Sequence, residues 1–157
     1  MDIIKASDTV RVFNIHLQSL KFSANYLNYI ENPSIKDEAD IQKSKNIISK
    51  LKAGFIKRKI QAERIKDEMN KSPYPVIVCG DFNDVPNSYA YNIIGRRLKN
   101  AFVEKGAGLG RTFSSISPTL RIDNIFVDSE FSVDQYTRIR KKLSDHFPII
   151  ADVALKR

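Results

Sequence analysis

Residues 76–79, Val-Ile-Val-Cys, form a short unbroken apolar run between Pro75 and Gly80. Without alternation, such a run predicts a strand buried on both faces, and the glycine predicts the turn that ends it. Residues 9–16 alternate in part and are rich in β-branched and aromatic side chains, which predicts a strand ending at His16. Between the two, Ile41, Ile48, Leu51, Phe55, Ala62, Ile65 and Met69 recur at spacings of three, four and seven, the period of an amphipathic helix over residues 36–70. Asp37, Glu38 and Asp40 suit its N-terminus and Pro73 lies beyond its end, while Gly54 predicts a kink or a break. Residues 20–30 read as a short helix or an irregular loop. Residues 88–98 predict another helix, with Asn87 or Ser88 as its cap. The glycine-rich stretch 104–111 predicts a flexible loop; it lacks the Lys-Ser/Thr of a nucleotide-binding loop. Thr112 and Phe113 begin a short extended piece, and 121–127, 133–139 and 149–155 predict three further strands.

Strands interleaved with helices in 157 residues predict one α/β domain, and 42% hydrophobic content is enough for a packed core. No apolar run approaches the roughly 20 residues of a membrane span. The N-terminal residues lack the apolar stretch of a signal peptide, so a soluble chain is expected, its location open. The single cysteine, Cys79, lies inside the apolar run and reads as a core thiol, which excludes an internal disulfide framework and a thiolate cluster. A net charge of +8 points to an anionic partner. Residues 36–71 nevertheless hold eleven Lys and Arg against six acids, so much of the excess falls on one helix, where a lysine-rich face is most simply solvated surface.

Candidate chemistry gathers at strand ends: Asn14-Ile15-His16-Leu17, Gly80-Asp81-Phe82-Asn83-Asp84, Arg121-Ile122-Asp123-Asn124 and Ser144-Asp145-His146-Phe147. Asp81 and Asn83 stand two residues apart just past a buried strand, at the carboxyl edge where α/β proteins bind ligands. Any one cluster alone also reads as an ordinary turn, since Gly, Asn and Asp favour turns for backbone reasons.

With NIHL, GDFND, RIDNIF and SDHFP in this order, the chain resembles the endonuclease/exonuclease/phosphatase superfamily, the fold of deoxyribonuclease I. The resemblance implies part of a four-layer α/β sandwich, a mixed sheet packed by helices, and metal-dependent hydrolysis of a phosphate ester, with Mg2+ or Mn2+ as the cofactor. It implies that Asp81 positions and activates the attacking water, that His16 hydrogen-bonds a non-bridging oxygen or aids the leaving group, that Asn83 donates to phosphoryl oxygens, and that Asp123 orients His146 toward the phosphate. Asp145 is the implied metal ligand; Asp84 is read as shaping its turn and Arg121 as a salt-bridge partner. Family members place a strand with an Asn, and then the principal metal-binding Glu, ahead of the His16 strand. Both are absent from residues 1–157, which are therefore expected to be an N-terminally truncated domain with a weakened metal site and low or absent turnover. The expected partner is a phosphate ester, a nucleic acid or a phospholipid headgroup. A dimer, or a missing N-terminal segment, is expected to cover the exposed sheet. A non-catalytic binding domain keeping this fold is the alternative.

Overall fold

A computed structural model describes residues 1–20, 38–114, 119–141 and 143–156; the expectation for residues 20–30 falls almost wholly outside them. Strands β1 (Asp2–Lys5) and β2 (Asp8–His16) form an antiparallel hairpin, and helix α1 (Glu38–Asn70) carries the chain back to β3 (Val76–Asp81), which pairs with β2 in parallel. After α2 (Tyr89–Gly95), β4 (Lys99–Asn100) and α3 (Ala101–Lys105), strand β5 (Asp123–Val127) lies antiparallel between β3 and β4. The five-stranded sheet has the order β1-β2-β3-β5-β4, and β6 (Phe131–Arg138) pairs with β7 (Ile149–Leu155) in a separate two-stranded sheet. This is the mixed α/β architecture expected.

Alternation along the strands builds two cores, one on each face of the large sheet. Val76 and Val78 of β3 and Phe126 of β5 pack on Ala62 and Met69 of α1 and on Ala90 and Ile94 of α2. Ile77, Ile125 and Val127, from intervening positions of the same strands, pack on Phe131 and Val133 of β6. The layers are therefore helices, large sheet and small sheet.

Three local expectations are corrected. Helix α1 runs unbroken through Gly54, because the glycine is a packing residue: a Cβ there would lie 2.4 Å from the Leu20 side chain. Its buried face carries Asp40, Ile47, Gly54, Arg58, Ala62 and Met69, whereas Ile41, Ile48 and Phe55 are exposed. The periodicity thus located the C-terminal half of the stripe correctly and the N-terminal half on the wrong side. Finally, β3 does not stop at Gly80 but continues through it to Asp81. Hairpin strand β1 and helix α3 had no predicted counterpart; β1 is exposed at all four positions.

Candidate active site

Register assembles the site. In the parallel pairing of β2 with β3, His16 stands beside Asp81, and in the antiparallel pairing of β3 with β5, Asp81 stands beside Asp123. One cross-strand row therefore carries three of the polar residues expected to do chemistry. Gly80 makes this row possible. Its φ is +137°, and a Cβ would lie 1.9 Å from the Ile15 carbonyl oxygen, so only glycine lets the two strands stay paired to their last residues. Two further backbone bonds, Leu17 N–H to Asp81 O and Phe82 N–H to Ile122 O, both 2.9 Å, prolong the ladder past the strand ends.

The loop after β3 is held by its own polar side chains. Asp81 Oδ1 accepts from the Asn83 backbone N–H at 2.7 Å, the Asx turn that Asp favours, and Asn83 takes the left-handed φ of +48° that asparagine tolerates. The Asn83 Nδ2 group donates to Asp81 Oδ2 at 2.8 Å and to the Leu17 carbonyl at 3.0 Å. Both amide hydrogens are thus engaged within the protein, and one of them holds the Asp81 carboxylate. Beneath the loop, Arg58 Nε meets Asp84 Oδ2 at 2.8 Å with both side chains almost fully buried, and Arg58 Nη1 donates to the Gln18 carbonyl at 3.1 Å. Helix α1 thereby clamps the GDFND loop and the chain just beyond His16. Asp84 does more than shape its turn, and its partner lies 26 residues away, beyond any local sequence signal.

His146 arrives from the other side. The Thr112 hydroxyl accepts from the backbone N–H groups of Ile122 and Asp123, both at 3.0 Å, and its carbonyl accepts from Phe147 N–H at 2.7 Å. Phe113 bridges to His146, and the two rings meet edge-on with centroids 5.0 Å apart. Thr112 and Phe113, seen in the sequence only as an extended piece, are the fastener between the RIDNIF and SDHFP segments. Nδ1 of His146 lies 2.9 Å from Asp123 Oδ2. His16 Nε2 is 3.5 Å from Asp81 Oδ2, with 71% of its side chain exposed, so it faces solvent at the rim.

These surroundings tune the titrating groups. Burial pushes the Asp81 carboxyl up, opposed by the Asn83 N–H and reinforced by the charge of Asp123. For His146, burial favours the neutral ring, but the hydrogen bond and charge of Asp123, with the charges of Asp81 and Asp145, outweigh it and raise its pKa. Burial also raises the Cys79 thiol, in keeping with a core residue.

Ligand atoms of Asp81, Asp123 and His146 all lie within 4.8 Å of one another. Two hard carboxylates without a thiolate fit Mg2+ or Mn2+ in donor chemistry. Asp145 is exposed and stands outside this group, although its charge is felt at His146 and its backbone carbonyl accepts from Ser114 N–H at 2.7 Å. Arg121 forms no ion pair among the described residues; it is buried with its guanidinium 4.1 Å from the Phe102 ring centroid.

Comparison with protein families matches residues 49–146 to the Endonuclease/Exonuclease/phosphatase family, which is more than half of the chain. The chain belongs to this family. Two of the four polar clusters and the Ser144-Asp145-His146 part of a third fall within the match, and the family is a phosphoesterase superfamily that is generally metal-dependent. Among solved structures, the family member from Bacteroides vulgatus is 28% identical, with a TM-score of 0.56 over 66% of this chain and 46% of its own. D. rerio TDP2 complexed with single strand DNA product has a TM-score of 0.62 at 16% identity, over 98% of this chain and 59% of its own. A family protein from Leptotrichia buccalis C-1013-b gives 0.54 at 18% identity, over 98% and 52%. The chain thus spans about half the length of the solved structures it matches. Comparison with curated proteins found no match.

Proposed function

We propose that this chain carries most of the catalytic side chains of a metal-dependent phosphohydrolase, in which water displaces the ester oxygen from a phosphate. What supports this most directly is the row His16, Asp81, Asp123 at one sheet edge, with His146 hydrogen-bonded to its end. Asp81, whose carboxyl is pushed up by burial, orients the attacking water and takes its proton. Asn83 holds Asp81 in position. Asp123 binds the His146 Nδ1 side, leaving Nε2 to face a phosphoryl oxygen, and favours the protonated ring, whose charge offsets negative charge gathering on the phosphate. His16, exposed at the rim, reaches a non-bridging or leaving oxygen. Asp81, Asp123 and Asp145 are the carboxylates available to Mg2+ or Mn2+, which when bound supplies Lewis-acid polarisation of the phosphoryl oxygens.

The substrate class follows less directly. The net charge of +8 favours an anionic polymer, and nucleic acid is proposed ahead of a phospholipid headgroup or a small phosphate ester. The deciding experiment is hydrolysis of bis-p-nitrophenyl phosphate with and without Mg2+ or Mn2+, comparing the chain with Asp81→Ala. Metal-dependent turnover lost in the variant is expected. Turnover that survives Asp81→Ala would remove Asp81 from the mechanism, and no turnover under any metal would favour a binding domain that keeps the fold.

A further inference from the structure

A cavity of about 420 Å³ opens between the glycine-rich loop that follows α3 and the C-terminal end of β6. Arg111, Arg138 and Arg140 line it together with Tyr136 and Phe102, and no lining residue is acidic. Its volume falls in the range of ligand pockets. Three like charges facing one cavity repel one another, a cost relieved when an anion sits among them.

The polar groups around it are short of partners. Arg140 is exposed and makes no hydrogen bond or ion pair with a described residue, and Arg138 donates Nη1 to the Arg111 carbonyl at 2.7 Å. Arg111 is braced by bonds from Nε to the Phe113 carbonyl and from Nη2 to the Ser114 carbonyl. Tyr136 OH is buried without a hydrogen-bond partner, as is Nη1 of Arg121, two orphaned donors in one neighbourhood. Arg121 covers one face of Phe102, and Phe102 meets Tyr136 edge-on at 5.5 Å. Gly110, at φ +66°, lets the loop close down here, since a Cβ would lie 2.3 Å from the Phe102 ring.

We infer that this cavity is a second anion site that accepts a phosphate group, separate from the His16, Asp81, Asp123 and His146 cluster. Phosphate oxygens match what the walls offer, guanidinium groups with no competing carboxylate. One ring adjoins both the site and the segment that carries His146. The Arg111 and Arg138 guanidinium groups lie 5.8 and 5.3 Å from the Phe147 centroid, and Phe147 directly follows His146. Phosphate binding here does not require that the chain hydrolyse anything.

Calorimetric titration of the full chain with inorganic phosphate, in chelator so that no cation draws phosphate to Asp81 and Asp123, tests the site. Saturable binding is expected, weakened at least tenfold by Arg140→Gln and by Ala107→Glu, which sets a carboxylate at an exposed lining position, and unchanged by Asp81→Ala. No saturable binding, or binding indifferent to both cavity variants, overturns the inference. Binding lost in Asp81→Ala but kept in the cavity variants does so too, by putting the phosphate in the catalytic cluster. The same titration with dimethyl phosphate identifies the source. Binding as tight as that of inorganic phosphate assigns the site to a diester link of a longer ligand, and much weaker binding assigns it to a terminal or free phosphate.

Discussion

Asp81 and His146 have both pKa values displaced upward, and both displacements act on stability in the same direction. A group with a raised folded pKa contributes stability that is fully present below its unfolded value and is lost as pH rises through the folded one. In metal-free protein the His146 contribution is therefore complete below the ordinary histidine range and fades as pH rises through the raised folded value, while Asp81 becomes unfavourable once it ionises. Thermal unfolding against pH in chelator is expected to show a decline in Tm across that rise that flattens in Asp123→Asn. An unaltered slope in that variant would mean that Asp123 does not hold the His146 charge. At Asn83, where both amide hydrogens are spent on Asp81 and Leu17, Asn83→Ala is expected to cut turnover mainly through kcat, because what it loses is the placement of Asp81. An effect confined to KM would instead make Asn83 a substrate-binding group.

Two packed contacts between elements bring the site together. Where β2 meets β3, Gly80→Ala must seat a Cβ against the Ile15 carbonyl, and the expected loss is at least ~3 kcal/mol in chemical denaturation. A loss below ~1 kcal/mol would show that the strands can part there without consequence. Where α1 meets the GDFND loop, Arg58→Ala leaves Asp84 buried and unpaired and should cost about 3–5 kcal/mol. Asp84→Ala strands Arg58 in the same way. The paired replacement Arg58→Met with Asp84→Leu is expected to recover much of the stability but not the site, since the bond to the Gln18 carbonyl is gone as well. Full activity in that double variant would deny the clamp any part in positioning His16 and Asp81.

For the molecule as a whole, the positive charge bears on what it meets before any chemistry occurs. If the proposed nucleic acid is the substrate, binding of a single-stranded oligonucleotide will weaken steeply and linearly in log–log form as salt rises, because phosphate contacts release counterions. A flat response in a filter-binding or anisotropy series would leave the phospholipid headgroup and the small phosphate esters as the substrate classes.

The legibility of this protein in its sequence divides by range. Within a few residues the chain is explicit. The apolar run 76–79 and the period-two stretches announce β3, β2, β6 and β7, Ser88 caps α2 with its hydroxyl on Tyr91 N–H, and the four polar clusters mark the strand ends that face the site. These follow from side-chain periodicity and local hydrogen bonding, which need no partner elsewhere. What needs a partner was hidden. The buried side of α1 could not be read because Ile41, Ile48 and Phe55 are as apolar as a core face, while Arg58 on the true face is buried only because Asp84 neutralises it across 26 residues. Gly80 looked like a turn because a glycine's freedom is visible in sequence and the carbonyl it must pass is not. Thr112, with its hydroxyl under two N–H groups of the RIDNIF segment, and the cavity of Arg111, Arg138 and Arg140 carry no motif at all. Sequence by itself determined the existence and type of most elements and the polar clusters that lie near their ends. Only the tertiary structure decided which of them stand together, because strand register and buried pairing are set by contacts between segments that the chain order keeps apart.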